Sequence, residues 1–105
     1  MNKYSLIIPC YNCSKFIEKN IIKLIRKLNN FKIEYEIILI DDGSTDKTLE
    51  ILKKINLNIK KVKILRNNLN VGKSFSSIKG IKLSKYQKII LIDCDLPYFS
   101  DLKNI

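Results

Sequence analysis

The stretch that decides the fold is residues 36–42, which read Glu36-Ile37-Ile38-Leu39-Ile40-Asp41-Asp42. Its unbroken apolar run is typical of a strand buried on both faces of a parallel sheet. A second stretch of this kind, residues 88–95, reads Lys88-Ile89-Ile90-Leu91-Ile92-Asp93-Cys94-Asp95. Because ligands of open α/β sheets bind outside the carboxyl ends of the strands, the four aspartates predict a ligand site there. Crowded carboxylates repel one another, so we expect a divalent cation among all four.

Extended and helical segments alternate along the rest of the chain. We predict strands at residues 4–8, 36–40, 61–65 and 88–92, and helices at 14–28, from 44 onward and at 74–83. Asn12 or Ser14 is expected to cap the first helix, and the run Ser44-Thr45-Asp46 the second. This order predicts an α/β fold with an open parallel sheet and flanking helices. After Asp95 we predict a loop and a nascent helix at 101–105, and we expect a chain truncated after the fourth strand.

Composition narrows the classes of protein that need to be considered. The 105 residues are 46% hydrophobic and carry a formal net charge of +10, as in a single globular domain. The basic residues are nearly all lysines spread over several helix faces, so we expect no nucleic-acid partner and only weak attraction to anionic headgroups. No apolar run reaches the roughly 18 residues of a membrane span. With no signal peptide at the N-terminus, we expect a cytoplasmic protein.

Three cysteines, an odd number, indicate reduced thiols. Cys10 and Cys13 are spaced as in dithiol redox proteins, whose reactive thiolate lies at a helix N-terminus. A dithiol redox protein is therefore one alternative function. The same two thiols and Cys94 are three potential zinc ligands, but the chain contains no histidine, which disfavours zinc.

Several side chains after the predicted strands are suited to binding a nucleotide. Tyr11, placed by the rigid Pro9, can stack on a heterocycle, although a rim tyrosine is the simpler explanation. Asp42 can accept hydrogen bonds from a base or ribose, whereas a capped turn explains only the Ser/Thr/Asp run behind it. Gly72 allows a ligand to approach the backbone and Lys73 can meet a phosphate, but a glycine turn with a solvated lysine is equally plausible.

The pair Asp93 and Asp95 is the sharpest chemical signal. Two carboxylates at i and i+2 leaving a buried strand can share one metal ion. Oxygen ligands without histidine suit Mg²⁺ or Mn²⁺ bridged to a diphosphate.

Taken together, the motifs resemble the family 2 glycosyltransferases over essentially the whole chain. They are, in order, residues 5–12, residues 40–48, Asn70-Val71-Gly72-Lys73 and Asp93-Cys94-Asp95. The tail at residues 93–98 looks most like the branch that transfers sugars to polyprenyl or dolichyl phosphate. Cys94 stands where that branch usually has a small residue, and Pro97 replaces a glutamine that assists the metal in some mannosyl members.

The resemblance implies a Rossmann-like GT-A fold in which residues 1–105 form the half that binds a UDP- or GDP-linked sugar. It implies that Asp93 contacts the ribose or donor sugar and that Asp95 holds Mg²⁺ or Mn²⁺. The residues it places in substrate binding are Pro9, Tyr11, Asn12, Asp41, Asp42, Gly72, Lys73 and Asp93, with Asp93 and Asp95 as metal ligands. The acceptor half and the catalytic base are expected beyond residue 105. The implied acceptor is a polyprenyl phosphate, which would place the protein at the cytoplasmic face of a membrane.

A receiver-like phosphoacceptor domain is the remaining alternative, since it too has a parallel sheet with aspartates and Mg²⁺ at its strand ends. Receivers, however, carry the acidic pair after the first strand, whereas here the pair Asp41 and Asp42 follows the second.

Overall fold

The computed structural model describes residues 2–95. Its elements alternate strictly between strand and helix. They are β1 (Asn2–Cys10), α1 (Ile17–Leu28), β2 (Ile33–Asp42), α2 (Thr48–Asn58), β3 (Val62–Asn67), α3 (Lys73–Lys82) and β4 (Lys88–Leu91). The predicted loop from residue 96 and the predicted helix at 101–105 lie outside the described residues. Within the described part, no helix has the length and apolarity needed to cross a bilayer.

The four strands form one parallel sheet in the order β3-β2-β1-β4. The first two crossovers carry the chain outward from β1 to β3, and the third brings it back to the other side of β1. Because crossovers of this type are right-handed, reversing their direction moves the connecting helix to the opposite face of the sheet. The point of reversal lies between β1 and β4, where open α/β sheets bind ligands.

The two faces of the sheet are covered differently. The face that holds Leu6 and Leu39 packs against the buried sides of α1 and α2 and forms the larger core. The face that holds Ile7 and Ile40 packs against α3 in a smaller cluster. A Cβ on Gly80 would lie 2.7 Å from the Ile7 side chain, so the absence of a side chain there lets α3 approach the sheet.

The predicted order of elements is confirmed, and the bounds need correction. Strands β1 and β2 extend beyond the predicted apolar runs because their pairing continues to Cys10 and Asp41. Helix α1 begins at Ile17 rather than residue 14, and its N-cap, Phe16, makes no side-chain capping bond. The cap predicted for Asn12 or Ser14 is therefore wrong. At α2, which begins at Thr48 instead of residue 44, Asp46 Oδ1 accepts a bond from the Thr48 N–H at 2.9 Å.

Candidate active site

A cleft of about 530 Å³ opens at the carboxyl end of the sheet, at the point of reversal. Its residues come from the ends of β1 and β2, the segment between β1 and α1, the β3–α3 loop with the start of α3, and the turn after β4. They are Pro9, Cys10, Tyr11, Phe16, Asp42, Asn70, Gly72, Lys73, Asp93, Cys94 and Asp95. All of the predicted site residues except Asn12 and Asp41 are therefore brought together in this one cleft.

The adjacent aspartates at the end of β2 are both buried, at 1% and 3% exposure for Asp41 and Asp42, but they have different surroundings. Successive side chains of a strand leave on opposite faces, so only one of the two can point into the cleft. That one is Asp42. Asp41 Oδ1 accepts a long 3.4 Å bond from the Ser44 N–H, and its predicted contact with substrate stays a prediction.

Asp42 holds the β3–α3 loop at the cleft wall. Its Oδ1 accepts bonds from the Val71 N–H at 2.9 Å and the Asn67 amide at 3.0 Å, and its Oδ2 accepts the Gly72 N–H at 2.9 Å. Burial opposes ionisation of Asp42, but these donors outweigh it and lower its pKa. A carboxylate has about four acceptor positions, so roughly one is left for the predicted bond to a base or ribose.

The expectation that one cation lies among all four aspartates is corrected by this arrangement. Most of the acceptor positions of Asp42 are taken by uncharged donors, and Asp41 lies outside the cleft. Across residues 2–95, no group of three or more acidic, cysteine or histidine side chains is arranged to hold a metal ion. The β-strand alternation that separates Asp41 from Asp42 is the physical reason.

Asp93 and Asp95 remain suitable ligands for a divalent cation. Both side chains are exposed at the cleft, and Asp93 forms an ion pair with Lys73 across it. Mg²⁺ in nucleotide sites is typically bound through one or two carboxylates plus substrate phosphates. Two hard oxygen donors at an open cleft therefore fit Mg²⁺ or Mn²⁺ that arrives with a diphosphate.

Asn12 joins the loops after β1 and β2. Its Oδ1 accepts the Thr45 N–H at 2.8 Å and the Asp46 N–H at 3.3 Å, while its own N–H donates to Ser44 Oγ at 3.0 Å. Its backbone has a positive φ of 48°, which asparagine tolerates better than most residues. These contacts position the neighbouring Tyr11, which lines the cleft at 46% exposure. The predicted contact of Asn12 with substrate stays a prediction.

Asp46 strengthens the same junction. Its carboxylate accepts bonds from the Thr48 and Ser14 N–H groups at 2.9 and 3.2 Å. Burial opposes its ionisation, but the hydrogen bonds together outweigh burial and lower the pKa of Asp46 to about 2.

Asn20, a half-buried residue of α1, contacts the cleft although no sequence motif predicted it. Its side-chain amide donates to the carbonyl oxygens of Cys94 at 3.2 Å and of Asp95 at 3.1 Å. The partners are 74 and 75 positions away in the chain, and a single asparagine on a helix gives no signal of such a contact. Phe16 and Asn70 were also missed as cleft residues, although Asn70 opens one of the quoted motifs.

The cysteines do not have the environment of a redox site. A hydrogen bond with Cys10, together with burial, raises the pKa of the Cys13 thiol to about 12. A hydrogen bond with Cys13 and burial raise the pKa of Cys94 as well. Because α1 begins only at Ile17, Cys13 is not at the helix N-terminus that would stabilise a thiolate. The structure does not favour the dithiol alternative.

The fold is an open parallel α/β sheet with a cleft at its carboxyl edge, the place where sheets of this class bind ligands. Residues 5–103 match the model of the glycosyl transferase family 2. The chain belongs to this family, which does not favour the receiver-like alternative.

Individual relatives agree with the family. An uncharacterized glycosyltransferase of Mycoplasma genitalium, MG060, is 36% identical over 96 residues, covering 89% of this chain and 32% of the relative. The undecaprenyl-phosphate 4-deoxy-4-formamido-L-arabinose transferase of Proteus mirabilis is 30% identical over 97 residues, covering 91% of this chain and 30% of the relative. The chain thus spans about a third of the length of these relatives.

Solved structures confirm the predicted GT-A-like fold class. Residues 1–349 of Staphylococcus aureus TarS in complex with UDP align with a TM-score of 0.71 at 28% identity, covering 89% of this chain and 27% of that one. The Pyrobaculum calidifontis mannosyltransferase PcManGT, in complex with GDP-Man and Mn²⁺, aligns with a TM-score of 0.77 at 18% identity, covering 88% and 27%. At that identity the second likeness supports the fold alone.

Proposed function

We propose that this chain is the donor-binding half of a metal-dependent glycosyltransferase that takes its sugar from a UDP- or GDP-linked donor. The observation that carries the proposal is the meeting of Tyr11, Lys73, Asp93 and Asp95 in one cleft at the reversal point of the sheet. Its volume of about 530 Å³ lies within the usual range for small-ligand sites. The UDP bound by TarS, a relative of 28% identity, further supports a nucleotide donor.

Each residue of the cleft has a role that follows from its chemistry. The exposed ring of Tyr11, next to Pro9, offers a face on which a base stacks. Gly72 has a φ of +99°, and a Cβ added to it would have no neighbour within 4 Å, so a phosphate can approach the backbone there. Lys73, the next residue, brings an ammonium group to the same place.

Asp93 and Asp95 are the residues that would hold Mg²⁺ or Mn²⁺. Such a cation, when bound, offsets the negative charge that develops on the departing nucleoside diphosphate. Asp93 is paired with Lys73, so its oxygens are shared between the ammonium group and any other ligand of the cleft. No catalytic base is assigned within residues 2–95, and we place it in the acceptor half.

For the acceptor we propose a polyprenyl phosphate at the cytoplasmic face of a membrane. The support is the tail motif at residues 93–98 and the likeness to a transferase named for its undecaprenyl-phosphate acceptor.

Calorimetry with UDP-GlcNAc and GDP-mannose, with and without Mn²⁺, tests the proposal. We expect saturable binding of one donor that Mn²⁺ strengthens and that Asp95→Ala weakens roughly tenfold or more. Glu50→Ala is the matched control, because Glu50 is an exposed acid on α2 outside the cleft. Donor binding that is unaffected by both Mn²⁺ and Asp95→Ala would refute the metal assignment, and no binding of either donor would refute the donor site.

A further inference from the structure

The turn that carries the proposed metal ligands is joined to α1 by one side chain. The Asn20 amide donates to the carbonyl oxygens of both Cys94 and Asp95, at 3.2 and 3.1 Å. We propose that Asn20 is a positioning residue that holds this turn in the geometry needed for a divalent cation and so sets the affinity for the cation. This inference rests on the proposed function, in which Asp93 and Asp95 are the metal ligands.

Asparagine is chemically suited to this role. Its NH₂ group provides two donors on one planar group, enough for two successive carbonyl oxygens. An aspartate would offer only acceptors, and an apolar residue would offer nothing. Two bonds to consecutive carbonyls fix two peptide planes, which sets the direction in which the Asp95 side chain leaves the chain.

The element that carries Asn20 is well fixed. Helix α1 buries Ile17, Ile21 and Leu24 against the sheet, so Asn20 is held between two fully buried positions of the same helix. A ligand geometry is more precise when it is supported from a packed helix than from a loop.

Among the described residues, the other supports of the turn act before Asp95. The Cys94 thiol is hydrogen-bonded with Cys13 and with the Tyr11 backbone, and Cys94 packs against the larger core. The sheet contact nearest to the turn is the bond from the Ile92 N–H to the Ile7 carbonyl at 3.0 Å. Beyond it, Asp93 pairs with Lys73, but both side chains are more than half exposed, at 58% and 66%. An exposed ion pair constrains geometry little. On Asp95 itself, the bond from Asn20 to the backbone carbonyl is therefore the main polar restraint among the described residues.

The test measures Mn²⁺ binding directly in the full chain, in the presence of saturating UDP, from the electron paramagnetic resonance signal of free Mn²⁺. We expect Asn20→Ala to weaken Mn²⁺ binding roughly tenfold, as is usual when an outer-shell partner is removed. UDP affinity in EDTA is expected to stay unchanged, because Tyr11 and Lys73 are left in place. Alanine is the best helix former, so the substitution preserves α1.

Asn56→Ala is the matched control. The Asn56 amide on α2 also donates to a backbone carbonyl, that of Val62 at 2.7 Å. Val62 begins β3, the outer strand on the side of the sheet away from β4. Asn56→Ala should destabilise the fold to a similar degree and leave Mn²⁺ binding as in the wild type. Equal effects of Asn20→Ala and Asn56→Ala on Mn²⁺ binding would overturn the inference and leave the proposed function standing. Failure of the wild type itself to bind Mn²⁺ with UDP would instead overturn the metal site, and this inference with it.

Discussion

Strand β2 carries a buried carboxylate near each of its ends, and the two are held in different ways. Glu36 and Asp42 are six residues apart and so lie on the same face of the sheet. Glu36 accepts bonds from Lys63 Nζ at 2.8 Å, from Ser5 Oγ at 2.6 Å and from the Lys85 N–H at 2.5 Å. Asp42 accepts only uncharged donors, one side-chain amide and two backbone N–H groups.

This difference in hydrogen-bond donors distinguishes the amino edge of the sheet, where Glu36 has a structural role, from the carboxyl edge, where Asp42 lines the cleft. Burial opposes ionisation of both acids, and their hydrogen bonds outweigh it, so both have a lowered pKa. At Glu36 the Lys63 ammonium also neutralises the charge. At Asp42 dipoles stabilise the charge without cancelling it, so the cleft holds three carboxylates (Asp42, Asp93 and Asp95) against one ammonium, Lys73. An excess of negative charge at an open cleft favours a cation.

Of the substitutions at the two edges, Asp42→Asn should have the largest effect on stability and on UDP binding. In Asp42→Asn, the NH₂ group of the new amide must face the N–H of either Val71 or Gly72, which places two donors against each other. We expect a loss of about 2–3 kcal/mol in the free energy of unfolding, because charge-assisted bonds are lost and a buried donor is left unpaired. UDP affinity should fall as well, since the loop that leads into Lys73 loses its attachment to Asp42. Urea unfolding and calorimetry measure the two effects, and a loss of stability without a loss of affinity would contradict the second.

The same isosteric change at the other edge, Glu36→Gln, should affect stability alone. We expect about 2 kcal/mol of destabilisation, because one of three donors would then face an NH₂ group. UDP affinity should equal that of the wild type, since Glu36 lies at the amino edge of the sheet and outside the cleft. A weakened UDP affinity in this variant would show that the two edges are coupled.

The free energy of unfolding should depend on pH through Glu36, Asp42 and Asp46. A lowered pKa in the folded state means that its stabilisation is complete above the ordinary value, 4.5 for Glu36 and 3.8 for the aspartates, and is lost as the pH falls through the folded value. For Asp46 the loss spans from about pH 4 to about 2. Because Asp46 is solvent-exposed, we expect it to contribute only about 1 kcal/mol. Urea unfolding from pH 6 to pH 2 measures these losses. If the free energy of unfolding fell with pH equally in the wild type and in Asp42→Asn, the lowered pKa of Asp42 would be contradicted.

Substitutions of Lys63 and Lys73 should have the smallest effects on stability, and they test separately the amino and the carboxyl edge of the sheet. Lys63→Met should cost about 1 kcal/mol or less, since Lys63 is 53% exposed although its partner Glu36 is only 5% exposed. Lys73→Met, which removes the exposed pair with Asp93, should change stability by less than about 0.5 kcal/mol but weaken UDP binding. Thermal unfolding and UDP titration of both variants measure these effects. Weakened UDP binding in Lys63→Met, with unchanged UDP binding in Lys73→Met, would contradict the roles given to the two edges.

Much of the fold could be predicted because it depends on local patterns. The apolar runs at residues 37–40 and 89–92 indicated buried parallel strands, and the acidic residues behind them indicated the functional edge. The bounds were less predictable, since pairing with a neighbour extends β1 to Cys10. Caps were mispredicted at α1 because Asn12 and Ser14 bond to the β2–α2 loop instead. The substrate contacts of Asn12 and Asp41 stay predictions.

By itself the sequence determined the alternation of strands and helices and the gathering of aspartates at one edge, because side-chain periodicity and strand polarity are properties of the chain alone. Only the tertiary structure decided which donors reach the Asp42 carboxylate, the Val71 and Gly72 N–H groups. It also decided that the Asn20 amide reaches the backbone carbonyl oxygens of Cys94 and Asp95. These partners are separated by 29 to 75 positions. Such bonds depend on how packing against the sheet orients whole helices and loops, which no local pattern encodes.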